Sequence, residues 1–322
     1  MAAKHLRKFE ELNTTTDSIH ELGEYPVLII LRDGTNLTSW EDVEDKEKIL
    51  YVSEDLSAYT NLDGKYEGLI SLKAIFASGI RGDVSSMQAM FKDCWSLEDI
   101  SSLKSWDVSG VSSMKEMFMN CKSLEDISAL ESWDVSRVRK MNYMFWDCES
   151  LKGLLALSDW DVSNVWNMGA MFWGCSDLKN LSGLELWDVS NVWDMRSMFN
   201  GCIGLTDISA LKSWDVSNVR RMGLMFCGCY CMNNLSAVRS WDVSNVEDMM
   251  EMFNQWTLLE DLSDLAQWDV SKVENMEYMF LNCRNLYDAS AISGWDVSNV
   301  ADMDDIFRNC YCIEIYPKWY EK

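Results

Sequence analysis

Histidine is almost absent from this chain: His5 and His20 are the only two, and both stand near its start. That removes the commonest general base and metal ligand, and no nucleophile with its base, glycine-rich phosphate loop or metal triad stands apart elsewhere. An enzyme is not expected. Positive charge is also scarce, with 28 basic residues against 52 acidic ones and a formal net charge of −24. Such a surface repels phosphate backbones and anionic lipid, so the expected partner is a protein, with no nucleic acid. No apolar stretch of signal-peptide length opens the sequence, and no run approaches a membrane span. The expectation is a cytoplasmic chain, with the cell surface or secretion as the alternative. No Gly/Ser linker or low-complexity segment interrupts it.

What fills the chain instead is repetition. Trp-Asp-Val-Ser recurs at Trp106, Trp133, Trp160, Trp187, Trp214, Trp241, Trp268 and Trp295, always 27 residues apart. One fixed period marks an array whose units bury their apolar side against their neighbours. In the unit that begins at Trp133 the apolar positions are Trp133, Val135, Val138, Met141, Met144, Phe145, Cys148, Leu151, Leu154 and Leu157. From Val138 to Cys148 the offsets 0, 3, 6, 7 and 10 predict one face of a short helix, with Ser136 as its N-cap. Leu-x-x-Ile-Ser, as in Leu124 to Ser128, predicts a short parallel strand, and the following Ala-Leu-x-x-Trp is open between turn and strand. The fold class this predicts is α/β, a right-handed solenoid of the leucine-rich-repeat type with one short strand and one short helix per 27-residue coil.

Val84, Met87, Met90, Phe91 and Cys94 extend the pattern one unit upstream, so nine units run over 79–313. Residues 51–78 read as a truncated first coil, and 1–50 as a β-rich cap with a charged, helix-like start, an apolar Val27 to Leu31 and an Asp33-Gly34 turn. At the far end, 314–322 closes the stack with Ile315, Pro317, Trp319 and Tyr320. Open ends of such an array need covers of this kind.

The unit Trp-Asp-Val-Ser-Asn-Val-x-x-Met-x-x-Met-Phe-x-x-Cys-x-x-Leu resembles the BspA-like leucine-rich repeats, in particular the version first described in mycoplasma lipoproteins of unknown function. Members are mostly surface or secreted proteins of host-associated microbes, so the resemblance implies a ligand-binding or adhesive role. It names no ligand.

Each column admits a structural and a functional reading. The Trp and Met-Phe columns read as core ladders rather than cofactor platforms, and Cys94, Cys121, Cys148, Cys175, Cys202, Cys229, Cys283 and Cys310 as small buried thiols, interrupted only by Trp256. The clusters Cys227, Cys229, Cys231 and Cys310, Cys312 lack histidine and the Cys-x-x-Cys spacing, so neither metal nor cofactor is expected. Asp107 through Asp296 would repel one another unless each accepts backbone N–H bonds in its turn; the competing reading is a calcium ladder.

Information then lies where the units differ. Trp166 and Trp193 fall side by side, with Arg139 and Lys140 before them, Arg220 and Arg221 after them, and Glu247, Asp248, Glu274 and Asp302 beyond. Trp146 and Trp173 add a second pair, and aromatic residues with arginine are enriched at binding hot spots. These eight aromatic and basic residues are the expected partner-binding site of a non-enzymatic scaffold. The alternatives are a surface adhesin and a calcium- or metal-dependent binding protein.

Overall fold

The computed structural model describes residues 27–320; the charged, helix-like start expected from the sequence lies outside the described residues. Four strands form one open sheet: β1 (Val27–Leu31), β2 (Asn36–Leu37), β3 (Ile49–Asp55) and β4 (Ala74–Ser78), in the order β2-β1-β3-β4. The first pairings are antiparallel, but β3 and β4 run parallel, with Val52 opposite Ile75. β4 hands this direction to the array through a parallel bridge from Ala74 to Asp99.

Beyond residue 78 the expected helix and strand of each coil are not found. The described residues contain no α-helix, and past β4 they carry only turns, short 3-10 segments and isolated parallel bridges. The sheet does not run the length of the array, so the leucine-rich-repeat solenoid class is corrected to a stack of turn-built coils. Ala-Leu-x-x-Trp is a turn, begun by a 3-10 segment in coils such as Ser128–Leu130 and Ser209–Ser213.

The reason is the sign of φ. Tyr143 and Asp147 have φ of 61° and 58°, and the same two positions are left-handed in every unit from Ala89 and Asp93 to Asp305 and Asn309. An α-helix needs negative φ throughout, whereas a type II turn needs a positive φ at its third residue. Met144, Trp146 and Cys148 accordingly donate their N–H to Met141, Tyr143 and Phe145, three residues back. The intervening N–H groups of Met141, Tyr143, Phe145 and Asp147 donate forward to Asn167, Gly169, Met171 and Trp173 in the next coil, at 2.6 to 3.1 Å. The backbone of one segment is thereby divided between closing its own turns and holding its neighbour.

Side chains add three more ladders. Trp133 and Trp160 stack with ring centres 6.4 Å apart and 4° between planes, and the Trp160 indole N–H donates to Leu130 O at 3.0 Å. Phe145 and Phe172 stack at 5.7 Å and 2°. The buried Cys148 thiol donates to Phe118 O at 3.1 Å, and most of the cysteine column repeats that bond. Where the column breaks, Trp256 donates its indole N–H to Phe226 O at 2.9 Å, the carbonyl a thiol would have used. The substitution keeps the bond and fills the column with a larger ring. At the far end Trp319 stacks on Trp295 at 6.4 Å and donates to Ile292 O.

Candidate functional site

The aspartate column is consumed by the turns. All eight carboxylates, from Asp107 to Asp296, accept the backbone N–H of the serine two residues on, at 3.0 to 3.1 Å. For Asp107, Asp134, Asp188, Asp269 and Asp296 the serine hydroxyl and then its N–H hold the carboxyl below its ordinary value. A lowered folded pKa gives stability that is fully present above the unfolded value, about pH 4, and is lost as pH falls through the folded one. The melting temperature should therefore be level from neutral to mildly acid pH and fall below about pH 4. A curve that rises on acidification would show mutual repulsion of the carboxylates outweighing their hydrogen bonds.

The column cysteines are sealed, and desolvation drives most of their thiols up, that of Cys202 to about 12, while the hydrogen bond with Cys283 holds the Cys310 thiol below its ordinary value. Only Cys227, Cys231 and Cys312 have any appreciable exposure among the described residues. In the same residues no group of three His, Cys, Asp or Glu side chains is placed to hold a metal ion, and no catalytic constellation is present.

The variable columns lie on the surface. Trp166 and Trp193 are half-buried and stack at 5.9 Å and 9°. The Lys140 ammonium sits 5.2 Å from the Trp166 ring centre and the Arg221 guanidinium 5.3 Å from that of Trp193. Four successive coils thus contribute one cation–aromatic–aromatic–cation ladder, a favourable arrangement because each cation meets the negative face of an indole. Arg139 and Arg220 are exposed beside it, and Arg220 reaches Glu247 at 3.0 Å.

Trp146 and Trp173 form a separate pair, closer still at 4.5 Å and 11°. No ring contact joins the two pairs among the described residues. Between their columns, on the Trp146 and Trp173 side, opens a cleft of about 290 Å³ over Gly169 and Ala170. Sequence reading missed its walls, Asn142, Tyr143, Asp194, Arg196 and Ser197. The signal was the Gly169-Ala170 dipeptide, the smallest pair at its place in the repeat, set between Asn142-Tyr143 and Arg196-Ser197.

A family model described as "Mycoplasma protein of unknown function, DUF285" matches residues 85–207, 178–263 and 204–315. A search of curated proteins gave no match. Among solved structures, a leucine rich cell surface protein from Faecalibacterium prausnitzii is similar at 14% identity and a TM-score of 0.40, over 85% of this chain and 80% of that one. A leucine-rich repeat protein from Bacteroides ovatus is similar at 17% identity and a TM-score of 0.35, over 89% and 84%. TLR13 in its complex with ssRNA13 is similar at 13% identity and a TM-score of 0.22, over 83% of this chain and 43% of that one. The resemblance is thus a general one to bacterial leucine-rich-repeat-like surface proteins, with no ligand attached. Two expectations are withdrawn against these neighbours: a cytoplasmic location, since the first is a cell surface protein, and the exclusion of nucleic acid, since the third was solved with RNA. No helix among the described residues is long and apolar enough to cross a membrane.

Proposed function

We propose that this chain, which belongs to the DUF285 family of Mycoplasma proteins of unknown function, is a non-enzymatic protein-binding stack of the BspA-like kind that acts as an adhesin at the cell surface. The observation that carries the binding role is the ladder Lys140, Trp166, Trp193 and Arg221, which sets two indoles and two cations in line on an otherwise acidic molecule. Stacking against one another immobilises the indoles before any partner arrives, so little rotamer entropy remains to be lost on docking. Arg139 and Arg220 flank the ladder and can pair with an acidic rim on the partner, while Trp146 and Trp173 widen the aromatic surface. A surface setting suits the cysteine column, whose buried, protonated thiols resist oxidation outside the cell.

Replacing Trp166 and Trp193 together with Ser should weaken capture of the partner from host material about tenfold or more, equivalent to about 1.4 kcal/mol, with the melting temperature nearly unchanged. Collapse of stability with affinity per folded molecule preserved would place the two indoles in the core and the binding surface elsewhere. Antibody labelling of intact cells tests the location: signal only after permeabilisation would remove the adhesin reading.

A further inference from the structure

The cleft over Gly169 and Ala170 is a chemically mixed cavity rather than a gap between turns. Trp146 and Trp173 form its aromatic wall, and Asp194, Arg196, Asn142 and Ser197 supply polar groups. At about 290 Å³ it has the volume of a small ligand site. Asp194 is a charged residue only 2% exposed, and Arg196 grips both of its oxygens, from Nε at 3.1 Å and Nη2 at 2.9 Å. The two charges cancel inside the cleft. Asn142 is 8% exposed, yet its side-chain amide has no hydrogen-bond partner among the described residues. The amide is not sealed from solvent, and what it offers the cleft is a group that both donates and accepts.

These features narrow the ligand. An anion would face Asp194, a cation would face Arg196, and a purely apolar molecule would leave Asn142 unpaired. A peptide adding as a strand would need free backbone groups, but the N–H groups of Met168 and Ala170 already donate to Asp194 and Arg196, and Gly169 O already accepts from Tyr143. A sugar ring meets every term: its C–H face lies against indole, and its hydroxyls both donate and accept.

We infer that the Gly169–Ala170 cleft binds one neutral sugar ring, through the Trp146 and Trp173 wall and the Asn142 amide. This goes beyond the protein-docking reading and does not rest on it, because Lys140, Trp166, Trp193 and Arg221 do not line the cleft. The hydroxyls of the sugar pair with the Asn142 amide and with the outer lone pairs of the Asp194 carboxylate, and Ser197 closes the polar side.

The full chain is titrated with D-glucose, D-galactose, D-mannose and N-acetyl-D-glucosamine, each followed by saturation-transfer NMR and calorimetry. Saturable millimolar binding of at least one is expected. Two variants borrow residues that sister coils carry at the same place: Gly169→Met, as at Met250, and Asn142→Gly, as at Gly169 itself. A Cβ on Gly169 would come within 3.3 Å of the Asn167 side chain, which must give by a few tenths of an ångström for the first variant to fill the cleft. Each should weaken sugar binding about tenfold or more with little change in melting, whereas the Trp166→Ser, Trp193→Ser double variant should bind sugar normally. If Gly169→Met melts early, Asn142→Gly alone decides. No saturable binding of any of the four sugars, or binding that survives the substitutions that fold, overturns the assignment.

Discussion

Trp256→Cys is expected to destabilise the stack by about 3 to 5 kcal/mol, the range for truncating a buried tryptophan, although it restores the residue that every other unit carries at that column. The Trp256 side chain is fully buried and lies edge-on to Phe226 at 6.0 Å and to Phe253 at 5.1 Å. Cysteine could recover the bond to Phe226 O but would leave most of the indole's volume empty, and the surrounding coils close such a cavity only in part. Substitutions toward a consensus usually stabilise, so the sign of the effect is informative. Denaturant unfolding of the two proteins measures it; a variant as stable as the parent would mean that the coils relax around the smaller residue and that Trp256 is tolerated rather than needed.

The second large effect is at Trp187, in the middle of the indole ladder. Trp187→Ala should also cost about 3 to 5 kcal/mol, because it removes a ring stacked on Trp214 at 6.4 Å and leaves Leu157 O without its indole donor. The loss is expected to be local in origin but global in effect, since each coil is held chiefly by its two neighbours. Calorimetric melting should fall as one transition or split into two halves about the mutated coil. An unchanged melting temperature would mean that the ladder contributes little and that the backbone bonds between coils hold the stack alone.

Much of this core is legible in the amino-acid sequence because a fixed period forces equivalent residues into register. Once Trp133 and Trp160 occupy one column, burial and stacking follow, and the Asp134 and Asp161 capping role follows from the Asx-turn geometry of Asp-x-Ser. The helix did not follow. Offsets of 3, 6, 7 and 10 return side chains to one side in a helix and equally in two successive reverse turns, so the apolar pattern between Val138 and Cys148 does not separate them. One clue lay in polar residues rather than apolar ones: the left-handed column of Asp93, Asn120, Asp147, Gly174, Gly201, Gly228, Gln255, Asn282 and Asn309 is made, except at Gln255, of the residues that tolerate positive φ. Its companion column, with Tyr143, Leu224 and Glu251, carries no such signature, because tertiary bonds to the next coil impose the conformation there.

The surface was legible in part for a related reason. Residues at equal places in successive coils must be neighbours, so the pairing of Trp166 with Trp193 and of Trp146 with Trp173 follows from spacing alone. The cations required a step further: Lys140 and Arg221 lie one residue later in the repeat than the indoles they face, and only the geometry of the turn brings them over the rings. The cleft required a column in which the absence of side chains mattered more than their presence, at Gly169 and Ala170.

Every feature of that surface depends on coils built from turns with two left-handed residues each, since it is this backbone that sets the coil-to-coil spacing of the rings. Far-UV circular dichroism of the purified chain tests it directly. A turn-built stack predicts a spectrum without the helical double minimum, unchanged in shape when the chain is titrated from neutral to mildly acid pH; a spectrum carrying one helix for each coil would contradict it and return the Val138 to Cys148 segment, with the surface that rests on it, to a helical architecture.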